Sequence, residues 1–180
     1  MDEPIASTDR LTLRRWQVSE ACRFLSIYQS EEVWRWIGGR PLESVEAAEV
    51  MIRRNLARTD ADKVWGTWAI SEHASPDPAG SVVLTERPGG TEMMLGWHLH
   101  PDSWGRGLAS EAAAALMKFA FSVGHREVVA FTEIDNDRSA AVCRRLAMRE
   151  LGVSSRVYPQ PHRVFWASVD DSAAAPCNLV

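Results

Sequence analysis

The sequence has little tyrosine, little cysteine and no long apolar run. Its three cysteines, Cys22, Cys143 and Cys177, are scattered and show no C-x-x-C spacing. That argues against a disulfide framework and a zinc site, and predicts a reducing compartment, the cytoplasm. No stretch approaches the roughly 20 apolar residues of a membrane helix, so no membrane partner is expected. The first residues, Met1-Asp-Glu-Pro4, are acidic and polar, unlike a secretory signal. Neither charge dominates: 20 Lys and Arg face 24 Asp and Glu, a net charge of −4. A nucleic-acid backbone would want a basic surface, so no nucleic-acid partner is expected. Internal repeats, low-complexity blocks and dividing linkers are also missing.

What is there suits one domain with its own core: 180 residues, 46% hydrophobic and 24% charged. Eight tryptophans stand against two tyrosines. Each large indole must fill the core or line a site. Residues 1–170 read as the domain. Residues 171–180 are Ala-rich, hold Pro176 and lack periodicity, so they read as a mobile tail.

Periodicity predicts a strand over Arg10–Trp16 and a helix over Ser19–Gln29, with Ser19 as its cap. A second helix is expected over Ser44–Arg58, capped by Ser44. Trp65–Ser71, Ser81–Thr85 and Glu92–His100 read as an antiparallel meander. A helix over Gly107–Val123, a strand over Glu127–Glu133 and a helix over Asp135–Met148 follow. Ser154–Tyr158 and Arg163–Val169 close the chain as a strand pair. The fold class is therefore α/β (α+β), a mixed central sheet of about seven strands flanked by about four helices. A parallel crossover should span Glu92–Glu133.

The most informative run is Leu99-His-Pro-Asp-Ser-Trp-Gly-Arg-Gly-Leu-Ala-Ser-Glu111. A strand ends, Gly105 and Gly107 flank Arg106, and a small-residue helix begins. Such a loop can turn its N–H groups inward beside the positive end of a helix. That suits a pyrophosphate, with Arg106 adding a charge-assisted contact. The same glycines could also make only a tight strand-to-helix turn. A dinucleotide site fits less well, because the loop follows several strands and Glu133 lies too far along.

This run resembles the acetyl-CoA-binding motif of the GCN5-related N-acetyltransferases (GNAT). Leu99-His100-Pro101 matches that motif's strand exit, and Trp104-Gly105-Arg106-Gly107-Leu108-Ala109 matches its loop, with Trp in place of Arg or Gln. Trp-Gly-x-Gly-x-Ala-Ser-Glu-Ala is similar to the RimJ/RimL-like branch. Arg10-Leu-Thr-Leu-Arg14, Glu32–Gly39 and Asn136-Asp-Arg-Ser139 look like that branch too. The resemblance covers about Arg10 to Asp170, so residues 1–170 read as a GNAT-like acetyltransferase domain.

The resemblance implies transfer of an acetyl group from acetyl-CoA to a primary amine, by direct attack in a ternary complex. The acceptor would be a protein N-terminus, an amino acid or another small amine. Backbone groups of Trp97 and Leu99 would pair with the pantetheine arm and meet the thioester oxygen. Gly105, Arg106, Gly107, Leu108 and Ala109 would cradle the pyrophosphate, with Trp104 in the same loop. Asn136 would hydrogen-bond the pantetheine, and Ser139 would protonate the leaving thiolate. Asn136 could instead merely cap a helix, with Ser139 an ordinary first-turn residue. No metal is implied. The chain would act as a monomer or homodimer.

The remaining chemistry is less determined. Many GNAT proteins use a Tyr where this chain has Cys143, and the RimJ/RimL-like branch often has a Glu where it has Met94. His98 shares a strand face with Glu92, Met94, Gly96 and His100, and is the candidate base, directly or through water. It could equally make a local hydrogen bond while the amine loses its proton to water. Trp34 and Trp36 fall where the family builds its acceptor wall, and an indole face can hold an ammonium; both could also be packing. Leu146-Ala147-Met148 replaces the family's Leu-Gly-Phe, and Ala takes a left-handed cap less cheaply than Gly. These departures leave a non-catalytic acyl-CoA-binding sensor or interaction module as the alternative.

Overall fold

The alternating stretches pair into one mixed sheet. The computed structural model describes residues 3–61, 65–170, 173–176 and 178–180. Cys177 lies outside them. The strands are β1 (Ala6–Ser7), β2 (Leu11–Arg15), β3 (Gly66–Glu72), β4 (Gly80–Glu86), β5 (Met93–Leu99), β6 (Glu127–Glu133), β7 (Arg149–Ser154) and β8 (His162–Ser168). The helices are α1 (Ala21–Tyr28), α2 (Glu31–Trp34), α3 (Val45–Ala61), α4 (Leu108–Ser122) and α5 (Asp137–Arg145). The sheet runs β1-β2-β3-β4-β5-β6-β8-β7. Every neighbouring pair is antiparallel except β5 and β6, which are parallel and joined through α4. This is the mixed central sheet with one parallel crossover expected from the sequence.

The element count is slightly higher than expected. β1 makes only two pairs, Ala6 with Leu13 and Ser7 with Thr12, too few to leave an alternation. α2 is a single turn after Ser30. Other boundaries shift for local reasons. Gln17, and not Ser19, opens the first helical segment: its N–H donates to the Glu20 carboxylate at 2.8 Å, and a 3-10 turn over Val18–Glu20 precedes α1. Ser44 does cap α3, accepting the Ala47 N–H at 3.1 Å. The last pair starts earlier than expected, because α5 stops at Arg145 and the chain reverses at once into β7. Gly152 sits at a bulge in that strand, which hid its period.

Two clusters sandwich the sheet. On one face Leu108, Ala112, Ala113, Leu116 and Ala120 of α4 pack with Leu13, Val82, Leu84, Leu95 and Leu99. The alanines let α4 lie close to the strands. On the other face Trp16, Phe24, Ile27, Ala48 and Ile52 pack with Ala69, placing α1 and α3 there. A third cluster gathers Val129, Val164, Trp166 and Leu179. Leu179, from the segment read as a tail, is fully buried against β6 and β8.

The feature that positions the site is a parting of strands. β5 and β6 pair only at Met93–Val128 and Met94–Val129. Past those residues β5 keeps β4 on one side and, among the described residues, has no strand on the other.

Candidate active site

The parting leaves one edge of β5 open, and parity shows whose backbone faces it. The His100 N–H donates to Ala79 O at 2.9 Å, across towards β4. Backbone groups alternate along a strand, so His98 also faces β4 while Trp97 and Leu99 face the gap. That gap opens into a cleft of about 1060 Å³ lined by residues of β5, the loop after it, α2, α4 and α5. An extended ligand can add there as a strand.

Beyond Leu99 the chain makes a 3-10 turn over Pro101–Ser103 and enters the glycine loop. Gly105 has φ 75° and Gly107 has φ 78°, the left-handed conformation that other residues adopt only with strain. A Cβ on Gly105 would meet nothing within 4 Å, so the loop presents open space and not a packed turn. Gly107 caps α4, leaving the first N–H groups of that helix free at the cleft. Gly105, Arg106, Gly107, Leu108 and Ala109 all line it. A loop of this kind at a helix start is suited to an anion.

Three ties hold the loop. The Trp104 indole N–H donates to Leu99 O at 2.9 Å, and the Arg138 guanidinium lies 4.8 Å from the Trp104 ring centroid. Arg106 donates to Glu72 from both terminal nitrogens, one at 2.8 Å. Its guanidinium is therefore paired with the end of β3. Arg10 pairs with Glu111 in the first turn of α4, and its Nη1 donates to Arg106 O at 3.2 Å. Burial raises the Glu111 carboxyl, and hydrogen bonds from Thr8 and Arg10 outweigh it, leaving a net lowering.

Asn136 and Ser139 both line the cleft. Asn136 caps α5, its Oδ1 accepting the Ser139 N–H at 3.0 Å. Its side-chain amide remains to donate. Among the described residues the Ser139 hydroxyl has no hydrogen-bond partner. Cys143 is fully buried in the α4-side core, and burial pushes its thiol up to about 12. It acts as packing. Met94 is equally occupied: the Tyr158 hydroxyl donates to its Sδ at 3.0 Å.

His98 and Trp36 line the cleft from the α1–α2 side. The Arg35 guanidinium stacks 4.4 Å over one face of the Trp36 ring. Trp34 ends α2 and is not among the lining residues. The His98 Nδ1 lies 3.1 Å from the Tyr28 hydroxyl, and burial pushes the imidazole down to about 4. His100 turns elsewhere: its Nδ1 accepts the Asp102 N–H at 3.3 Å. Among the described residues no group of three or more His, Cys, Asp or Glu could hold a metal ion. Nor is any helix among them long and apolar enough to cross a membrane.

Several neighbours were missed from sequence. Glu72, Glu111, Thr8 and Arg10 brace the loop, Tyr28 holds His98, and Glu32, Arg138 and Arg145 line the cleft. The Arg10 and Glu111 positions lay inside matched motifs. Nothing in the sequence flagged Glu72 or Tyr28 for these contacts.

A mixed sheet that parts beside a glycine loop and a helix start is the architecture of an acyltransferase that uses acyl-CoA. The profile of the acetyltransferase (GNAT) domain matches residues 10–149, and the chain belongs to that family. It is 27% identical over 154 residues to the uncharacterized N-acetyltransferase YoaA of Bacillus subtilis (strain 168), covering 83% of this chain and 85% of that protein. The crystal structure of the acetyltransferase from Agrobacterium tumefaciens str. C58 is similar at TM-score 0.77 and 26% identity, covering 93% of this chain and 95% of that one. RimL, a ribosomal L7/L12 alpha-N-protein acetyltransferase solved with coenzyme A, shares the fold at TM-score 0.79 and 19% identity, covering 93% and 99%. The protein is an acetyl-CoA-dependent N-acetyltransferase.

Proposed function

We propose that the acceptor is a primary amine, a protein N-terminus, an amino acid or another small amine, acetylated by direct attack in a ternary complex. One observation carries the reading. The glycine cradle and the open edge of β5 share a single cleft with Trp36 and His98, so donor and acceptor can meet without leaving it. Bound acetyl-CoA supplies the acyl group as a thioester.

The chain's residues then have separate tasks. The N–H groups of Gly105 to Ala109 hold the pyrophosphate. The backbone of Trp97 and Leu99 orients the pantetheine arm and offers an N–H where charge develops on the acyl oxygen. The free amide of Asn136 donates to the same arm. Ser139 gives its proton to the departing sulfur and regains one from solvent. Trp34 and Trp36 were both candidates for holding the acceptor; the lining of the cleft favours Trp36. His98 was the candidate base, but an imidazole pushed down to about 4 is a weak one. The amine proton therefore leaves through water in the open cleft. A cytoplasmic location is supported by the free Cys22 and Cys143.

The test mixes protein, acetyl-CoA, a thiol reagent and a panel of amines. Amine-dependent release of CoA is expected, and Ser139→Ala should cut turnover about 10²-fold with acetyl-CoA affinity kept. Bound acetyl-CoA with no release for any amine sinks the reading and leaves an acyl-CoA-binding sensor. Unchanged turnover in Ser139→Ala removes its acid role.

A further inference from the structure

A packed aromatic row runs from Trp16 through Phe24 and Tyr28 to the cleft and ends on His98. We propose that Tyr28, held by this row, fixes His98 as an Nε2–H hydrogen-bond donor that binds a carbonyl or carboxylate oxygen carried by the acceptor amine. This rests on the cleft being the amine site.

The direction of the bond follows from Tyr28. Its ring is buried, and among the described residues His98 Nδ1, 3.1 Å away, is the one hydrogen-bond partner of its hydroxyl. If Nδ1 carried the proton and Tyr28 accepted, the phenolic O–H would be left buried without an acceptor, which is costly. Tyr28 therefore donates to Nδ1. On the same sheet face the fully buried Ser81, paired with His98 across β4 and β5, accepts the Trp16 indole N–H at 3.1 Å. Burial pushes the Tyr28 phenol up to about 12, so it keeps the proton it must donate. Nδ1 is then an acceptor, and the proton of the neutral imidazole sits on Nε2.

Packing holds this row in place. Trp16 meets Phe24 edge-on at 5.0 Å between centroids, Phe24 lies 4.4 Å from Tyr28, and Tyr28 meets His98 edge-on at 5.6 Å. The side chain of His98 is on the sheet face covered by α1, and it lines the cleft with Val33, Trp36 and Ile37. A neutral, oriented N–H at that wall is complementary to an oxygen. It has nothing to offer an ammonium, and an attacking amine needs its lone pair for the acyl carbon. An α-amino amide or an α-amino acid brings an oxygen at a fixed distance from its amine; an alkylamine or polyamine does not. A site built to hydrogen-bond a substrate group discriminates strongly against the analogue lacking it.

Two measurements test this on the full protein. Long-range 1H–15N NMR at neutral pH should report His98 with a pyridine-type Nδ1 and a pyrrole-type Nε2; a protonated Nδ1 overturns the assigned tautomer. Acetylation of alaninamide should exceed that of isopropylamine by at least about tenfold in kcat/KM. His98→Leu should collapse the ratio through KM for alaninamide, and His98→Gln, which keeps an N–H, should restore most of it. Tyr28→Phe should lower the ratio with the fold intact. An equal fall in kcat for both amines would place the donor on the acyl oxygen and overturn the acceptor role. Should no amine turn over, the amine-transfer reading fails by itself. The tautomer is then decided by NMR, and the oxygen preference by the Kd ratio of the two amines on CoA-loaded protein.

Discussion

Ala147 has φ 56°, the one positive φ at a non-glycine among the described residues. It closes α5 with paired bonds, its own N–H to Arg144 O at 3.0 Å and the Met148 N–H to Cys143 O at 3.1 Å. That geometry wants glycine. A Cβ held left-handed costs about 1 kcal/mol or more, and glycine's extra freedom in the unfolded chain returns part of it. Ala147→Gly should therefore raise stability by up to about 1 kcal/mol, a Tm gain of about 2–4 °C. A lower Tm in thermal unfolding would show the cap is not strained. The sequence exposed this position because its departure from Leu-Gly-Phe is local. Asn136, Ser139 and the Gly105–Ala109 loop were legible for the same reason. The partners of these residues were not. Arg106 meets Glu72 34 positions away, His98 meets Tyr28 at 70, and Arg10 meets Glu111 at 101. Such pairs depend on sheet order and helix docking, which no short window contains.

At the scale of elements the site is made by what β5 lacks. Its ladder with β4 runs the full strand, while its ladder with β6 stops after Met94. Alternation and the crossover pattern predicted a parallel neighbour; where two strands part depends on their twist and on what packs between them. The glycine loop lines the cleft at that gap and is the proposed pyrophosphate site, so blocking the loop should remove binding without removing the fold. A Cβ on Gly107 would meet only Arg10 Nη2, at 3.8 Å. Gly107→Trp should fold, with the strain of a left-handed non-glycine residue, about 1–3 kcal/mol. Its indole would fill the cradle and weaken CoA at least about tenfold by calorimetry, a loss of about 1.4 kcal/mol. Gly124→Trp is the control. Gly124 also has a positive φ, 103°, and open space, but sits past the far end of α4. If Gly107→Trp binds CoA as the control does, the pyrophosphate lies elsewhere.

For the whole molecule, the buried ionisable groups set a window of pH. His98 is pushed down to about 4 by burial, from an unfolded value near 6.5. Between those values the unfolded chain holds a proton that the folded chain does not, so stability falls as pH drops from about 6.5 to 4. Carboxylates add a second acid phase. Asp102 is lowered by hydrogen bonds from Arg23; Glu92 is raised by burial and lowered further by Arg87, for a net lowering. Each stabilises fully above its unfolded value near 4 and loses that contribution as pH falls from there through its lowered folded value. On the alkaline side the sign reverses. Burial pushes both Cys143 and Tyr28 up to about 12, so the folded chain keeps protons that the unfolded chain sheds from about pH 9. Stability should therefore plateau near pH 7–8 and fall on both flanks. Tm measured from about pH 2.5 to 10.5 should trace that shape. His98→Gln should flatten the part between 6.5 and 4.5, leaving the carboxylate phase below it. Cys143→Ala should lower Tm at neutral pH, by removing packed volume, yet soften the slope above pH 9. An acid flank unchanged in His98→Gln would mean that His98 takes its proton as readily folded as unfolded. The imidazole would then be solvated, and the cleft wall it forms would be far wetter than its contacts with Tyr28 imply.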